Sequence, residues 1–282
     1  MAEGQTCTEQ NTGWSIEFFD VSVGWGDHIV LHNINALLPA GTISVILGGS
    51  GCGKSTLLRH IIGLAKPVSG TIAVGGRSLF SLPHGEFRKI RRDMGVLFQD
   101  GALLGAMRVW ENVALPLTEH LALPRDVIRR EALRVLEMVE LADFAEFYPN
   151  ELSGGMRKRA GLARAIITNP RILLCDEPTS GLDPITAARM DALICFLHKA
   201  FPFMTIVSVS HDLASLERIA EYVMVLHEGE CLFTGTRDAL HASSNAYIQQ
   251  FLKRDPSMVR DTFAERMQPG VASALSAWKE SC

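Results

Sequence analysis

Nine consecutive residues carry the densest chemistry in the chain: Gly48, Gly49, Ser50, Gly51, Cys52, Gly53, Lys54, Ser55 and Thr56. They fit the spacing G-x-x-x-x-G-K-[ST]. Glycines allow a backbone path in which successive N–H groups point inward and form a nest for an anion. A helix opening at Lys54 adds its positive N-terminal end at the same point. The Lys54 ammonium can reach the β- and γ-phosphates of a nucleoside triphosphate, and the Ser55 hydroxyl can ligate Mg²⁺. With average residue usage, this pattern arises by accident on the order of once in a hundred chains of this length. A second cluster follows far downstream. Ile172-Leu173-Leu174-Cys175 is a short apolar run that ends in Asp176 and Glu177. A strand tip aims such carboxylates into the crevice where open α/β sheets bind ligands. Asp176 can hold the Mg²⁺ shell, and Glu177 is placed to polarise an attacking water. The two clusters together predict a site that binds ATP with Mg²⁺ and hydrolyses it.

These groups act only if strands and helices deliver them to one place. Residues 15–23 alternate and read as a first strand, and residues 42–47 form a short β-branched run typical of a buried parallel strand. The glycine-rich turn and a helix over roughly residues 54–64 follow, with a further strand within residues 92–98. From about Gln99 to Thr168 strand signals vanish and helical patterns dominate, as in residues 129–139 and 156–167. Strands return at residues 172–175, 205–210 and 222–227, with a helical stretch at 185–199 between them. This alternation predicts an α/β fold: a parallel sheet with helices on its faces and an inserted helical subdomain at about residues 99–168. The expected organisation is a tail over residues 1–14, a domain over 15–253 and a second tail over 254–282. Tyr247, Ile248, Phe251 and Leu252 form a helical stripe that should close the core. Beyond Pro256, Val271, Ala274, Leu275 and Trp278 share one helical face. A stripe that short needs a covering surface, because isolated helices under about 12–15 residues are marginal in water.

Composition narrows the function classes. The chain has 282 residues, 47% apolar and 21% charged, with net charge −4 and pI about 6.1. Proteins that neutralise phosphate backbones are normally basic, so nucleic acid is not an expected partner. The basic run over residues 88–92 reads instead as a solvated helix face. No apolar run approaches the roughly 18–20 residues needed to span a bilayer. The polar start, residues 1–11, lacks the apolar core of a secretory signal. The six cysteines are scattered, without metal or disulfide spacing. Cys175 and Cys195 are expected in the core, and a reducing compartment fits. His28, His60 and His227 are expected to be structural.

Further motifs carry a family resemblance. Leu152-Ser153-Gly154-Gly155-Met156 opens a helical stretch, with Ser153 as its N-cap and exposed N–H groups forming a second anion site. Pro178-Thr179-Ser180-Gly181-Leu182-Asp183 follows Glu177. His211 follows the strand at 205–210, Gln99 follows the strand ending at Phe98, and Trp25 precedes the first loop. In order and spacing these elements resemble the ATP-binding-cassette ATPases over roughly residues 15–253. The resemblance implies a RecA-like P-loop NTPase core with a helical subdomain. It implies that Ser153, Gly154, Gly155 and Asp183 help to bind the nucleotide held by a second copy of the chain, two chains sandwiching two ATP molecules head to tail. It also makes His211 the switch histidine at the γ-phosphate. Gln99 becomes the loop glutamine that senses Mg²⁺ and the membrane partner, and Trp25 the aromatic that stacks on adenine. Met156 departs from the family's usual glutamine.

Residues 99–104 (QDGALL), 111–117 (ENVALPL) and 183–186 (DPIT), with Met156, look like the Mla-type lipid-transport ATPases. That likeness implies an integral membrane permease (MlaE-like), a lipid-binding protein of the mammalian-cell-entry, or MCE, type (MlaD-like) and, in many such systems, a STAS-domain protein (MlaB-like). It places the chain at the cytoplasmic face of a bacterial inner membrane, held there by the permease. Two other cassette functions stay open at this stage: an importer of amino acids or metals, and a soluble ATPase of iron–sulfur assembly or of nucleic acid.

Overall fold

The computed structural model describes residues 13–26 and 28–253. The expectations for residues 1–12 and 254–282, including the stripe ending at Trp278, lie outside the described residues.

Two sheets form. The larger is built from β3 (Ile43–Gly48), β6 (Met94–Leu97), β7 (Ile172–Asp176), β8 (Thr205–Ser210), β9 (Tyr222–His227) and β10 (Glu230–Thr236), in the order β10-β9-β3-β8-β7-β6. Five of these strands are mutually parallel. Both faces are covered, so burial does not alternate: every residue of β3 and of β8 is buried, the serines and threonine included. β10 runs antiparallel to β9. The smaller sheet is entirely antiparallel, β2-β1-β4-β5, from β1 (Ile16–Trp25), β2 (His28–Leu38), β4 (Ser69–Val74) and β5 (Arg77–Ser78).

The expected parallel sheet is the larger of the two, and a second sheet stands beside that expectation. The first strand belongs to a separate antiparallel sheet, and β2, β4, β5 and β10 gave no distinct signal. β2 is an edge strand whose burial follows no simple period, and β1 is interrupted by register shifts between Phe18 and Gly24. Bulges break the two-residue period that sequence reading relies on.

Helix α1 (Lys54–Ile61) joins the layers. Its Leu57, Leu58 and Ile61 share one core cluster with Ile16, Phe18 and Val23 of β1 and with Ile46, Leu174, Val207 and Met224 of the large sheet. Helix α2 (His84–Arg92) carries Arg88, Lys89, Arg91 and Arg92 exposed around a single buried Ile90. Between β6 and β7 the described chain has only helices: α3 (Val109–His120), α4 (Arg125–Met138), α5 (Gly154–Ile166) and two short 3₁₀ turns. They pack through Val113 and Leu117, Ile128 and Leu136, and Ala160 and Leu162. Then come α6 (Pro184–Ala200) and α7 (Leu213–Ile219), separated by β8.

The last helices are α8 (Arg237–His241) and α9 (Ala246–Lys253). By its internal contacts the chain divides after Leu240, and α9 falls in the second unit. Cys175 is buried, its thiol pushed up to about 12 chiefly by burial. Cys195, expected in the core, is only half-buried. No helix among the described residues is long and apolar enough to cross a membrane.

Candidate nucleotide site

The loop between β3 and α1 has the shape its glycines allow. Gly53 sits at φ 102°, the N-cap of α1, and a Cβ there would come within 2.9 Å of the side chains of Val30 and Leu31. Only glycine can occupy that position without moving β2. Lys54 begins the helix, is buried, and donates from Nζ to the carbonyls of Gly48 (2.8 Å) and Gly49 (2.9 Å). Its ammonium thus folds back over the loop that precedes the helix. Ser55 donates its hydroxyl to Asp176 Oδ1 at 2.9 Å, across a sequence gap of 121 residues.

Sheet order explains that meeting. β3, β8 and β7 are neighbours, all parallel, so their C-terminal ends lie along one edge. Asp176 pairs in register with Val209, so the residues just past the two strands stand side by side. Glu177 and His211 make use of this. His211 Nδ1 lies 3.0 and 2.8 Å from the two carboxylate oxygens of Glu177. Against a carboxylate that nitrogen must donate. The Glu177 side chain is nearly buried while the His211 ring is largely exposed. Glu177 itself adopts the left-handed φ of 51°, and its N–H donates to Val209 O at 3.0 Å. A non-glycine residue in that region is strained and is commonly found where geometry serves function.

Burial is the largest influence on Asp176 and raises its carboxyl above the usual range; the Ser55 hydroxyl pulls it back, Glu177 raises it, and Arg59 and Lys54 lower it. A Ser hydroxyl beside one carboxylate is a hard-oxygen pair, which suits Mg²⁺ held partly by substrate phosphates. Among the described residues no group of three or more His, Cys, Asp or Glu could hold a metal ion alone. A Mg²⁺ ion that relies on phosphate oxygens fits that donor set.

The remaining predicted residues are distributed as follows. Gln99 is exposed two residues past β6, the strand next to β7. Trp25 ends β1, about half exposed, with the Arg59 guanidinium 5.5 Å from its ring centroid and the His60 ring 6.1 Å away; both partners come from α1. Ser153 is the N-cap of α5, accepting from the Met156 N–H at 3.2 Å. Gly154 and Gly155 form the first turn, and a Cβ on Gly155 would come 2.7 Å from the Thr186 methyl. Asp183 caps α6, its Oδ1 accepting from the N–H groups of Ile185 and Thr186 at 3.1 Å each; bonds from Thr186 hold its carboxyl below the usual range.

Sequence reading missed Lys158. It is buried, and its Nζ donates to Glu177 O (2.9 Å), Ser180 O (2.6 Å) and Ser180 Oγ (3.2 Å). Burial lowers its pKa, against the opposing pull of Asp100, Glu177 and Asp176. A signal existed: Gly155, Lys158, Leu162 and Ala165 recur at helical spacing, all buried, so a lysine occupies the inward phase. Its neighbours Arg157 and Arg159 disguise it as part of a basic run.

A phosphate-cradling loop, a strand-end carboxylate pair and a histidine beside the second carboxylate define a nucleoside-triphosphatase class of site. Comparison with known proteins sharpens the class. Residues 31–180 match the model of the "ABC transporter" family, and the chain belongs to that family of ATP-binding-cassette ATPases. It is 38% identical to the probable ribonucleotide transport ATP-binding protein Mkl of Mycobacterium tuberculosis, over 85% of this chain and 67% of that one. It is 39% identical to the intermembrane phospholipid transport system ATP-binding protein MlaF of Haemophilus influenzae, over 84% of this chain and 90% of that one. The Escherichia coli K12 MlaF is 38% identical over 86% and 90%. Among solved structures, the dimeric post-hydrolysis cassette MJ0796 bound to ADP and Pi superposes with a TM-score of 0.71 at 34% identity, over 78% of this chain and 98% of that one. CbiO1 of Clostridium perfringens gives 0.73 at 27% identity, over 87% and 97%.

Proposed function

We propose that this chain is the ATPase subunit that powers phospholipid transport between the inner and outer membranes through a membrane permease. The observation that carries the cargo is the near-complete correspondence with MlaF, in which 90% of the relative's length is matched. The Mkl proteins carry ribonucleotide transport in their name, but the match spans 67% of their length. The segments 99–104, 111–117 and 183–186 favour the lipid reading.

The chemistry follows from the site. The Gly48–Thr56 loop holds the phosphates and Lys54 pairs with the β- and γ-phosphates. Ser55 and Asp176 would hold Mg²⁺, which would supply neutralisation of the phosphate charge during transfer. Glu177 polarises the attacking water, and His211, hydrogen-bonded to its carboxylate, keeps it aimed. Gln99 senses the metal and the permease, and Trp25 stacks on adenine, contributing about 0.5–1.5 kcal/mol. Ser153, Gly154, Gly155 and Asp183 complete the site of a second chain. The partners are a second copy, an MlaE-like permease, an MlaD-like MCE protein and an MlaB-like STAS protein, at the cytoplasmic face of the inner membrane.

Reconstitution tests this reading. The chain is expected to co-purify with an integral membrane permease that carries phospholipid, and vesicles containing the complex should move fluorescent phospholipid to acceptor vesicles only with ATP. A complex that holds no lipid and stimulates hydrolysis with a soluble solute would overturn it.

A further inference from the structure

The geometry points to Lys158 as a positioning residue for hydrolysis: its ammonium fixes the turn that carries Glu177, and so joins the helix beginning at Ser153 to the catalytic carboxylate of the same chain. The inference rests on the proposed role of Glu177.

Four observations support it. First, the turn after β7 begins with a residue in a strained conformation, Glu177 at φ 51°. Such strain, of order 1–3 kcal/mol, persists only where surrounding contacts over-determine the backbone. Second, the Glu177 N–H is bound to β8 through Val209 O, and its carbonyl is bound to Lys158. One peptide flank is held by the sheet and the other by α5. Third, Lys158 binds both ends of the turn, Glu177 O and Ser180 O, while the Ser180 N–H returns to Glu177 O at 3.2 Å. The ammonium therefore sets the separation of two carbonyls three residues apart. Fourth, the other side chains of α5 tie the helix to the segment after Gln99: Arg164 donates to Gly101 O (2.8 Å) and Ala102 O (2.7 Å). One helix thus contacts both the Glu177–Ser180 turn and the segment after Gln99.

A buried cation that meets only neutral oxygens within bonding distance is costly to desolvate. A leucine at this inward phase would pack more cheaply but would leave the Glu177 and Ser180 carbonyls without this donor. The lysine is explained by the placement of the turn. A shift of the turn by about 1 Å moves the Glu177 carboxylate off the water, and misplacement of that size can cost about a hundredfold in rate.

The test uses the full chain in its permease complex, measuring kcat and KM for ATP, nucleotide affinity by calorimetry and thermal melting. Lys158→Met is expected to lower kcat about ten- to a hundredfold while KM and ATP affinity stay within about threefold. Lys158→Arg, which keeps a long cationic donor, is expected to recover most of the loss. If Lys158→Met does not fold, Lys158→Gln decides: its amide is one atom shorter and cannot span both carbonyls, so the same selective fall in kcat is expected. A folded Met or Gln variant with wild-type kcat overturns the inference. So does a variant that loses ATP affinity and kcat together, since that marks a general packing role. Glu177→Gln run in parallel separates the two readings. If it turns over normally, the assignment of Glu177 fails; if it is dead while the Lys158 variants are normal, only the role of Lys158 fails.

Discussion

At the scale of single residues, the site divides binding from catalysis. Glu177 is paired with His211, whereas Ser55 of the Gly48–Thr56 loop bonds to Asp176; with the water assigned to Glu177, Glu177→Gln should leave nucleotide affinity intact and lower steady-state hydrolysis about 10²- to 10⁴-fold. Radiolabelled ATP turnover beside calorimetric binding checks both halves, and wild-type turnover refutes the role. Lys54 is the opposite case. Its ammonium lies over the loop itself, and charge-assisted pairs contribute about 1.5–3 kcal/mol, so Lys54→Ala should weaken ATP binding about ten- to hundredfold. Unchanged affinity by titration calorimetry sinks that assignment. Trp25 is flanked from α1 by Arg59 and His60, which hold its ring at the end of β1.

At the scale of elements, α6 and α7 show how the switch region is anchored. Asp191 on α6 is fully buried and accepts from Ser215 Oγ and from Arg218, each at 2.7 Å, both on α7. Burial raises its carboxyl above the usual range, while Ser215 and Arg218 act in the other direction. α7 starts immediately after His211, with Asp212 as N-cap. Arg218→Met should leave the buried carboxylate one donor short and destabilise the chain by about 1–2 kcal/mol, a value reduced for the partial exposure of Arg218. Urea unfolding measures it, and a midpoint identical to wild type refutes the anchor. The same scale shows what sequence could reveal. Strands β3, β7, β8 and β9 are short runs rich in β-branched and other apolar residues, so residues 42–47, 172–175, 205–210 and 222–227 give them away. Glu177 and His211 are legible because each directly follows such a run. β2 and β10 are hidden: β2 is fully buried only at Leu31, Ile34 and Leu38, β10 is only half-buried along its length, and their residues need no strict alternation. Lys158 is hidden for another reason. Its role depends on the angular phase of a helix relative to a turn about 20 residues away, which a linear motif does not encode.

At the scale of the whole molecule, the proposed dimer makes a prediction that no monomer can meet. If Ser153 and Gly155 serve the partner's nucleotide, then mixing Lys54→Ala chains with Ser153→Arg chains yields hybrids in which one site carries both lesions and the other neither. Hydrolysis should reappear in the mixture although each variant alone is inactive. No rescue, together with no ATP trapping by the hybrid, would rule out the shared geometry. The large sheet adds a wider consequence. Its adjacent strands β3, β8, β7 and β6 end, in that order, at the phosphate loop, His211, the Asp176–Glu177 pair and Gln99. The stretches within the strands are packed, and the residues to which the proposed mechanism assigns chemistry lie at or just beyond their ends. Robustness and innovation therefore occupy separate letters of the same strands. A substitution at a tip can therefore change rate or coupling without disturbing the buried interior that holds the tips in place.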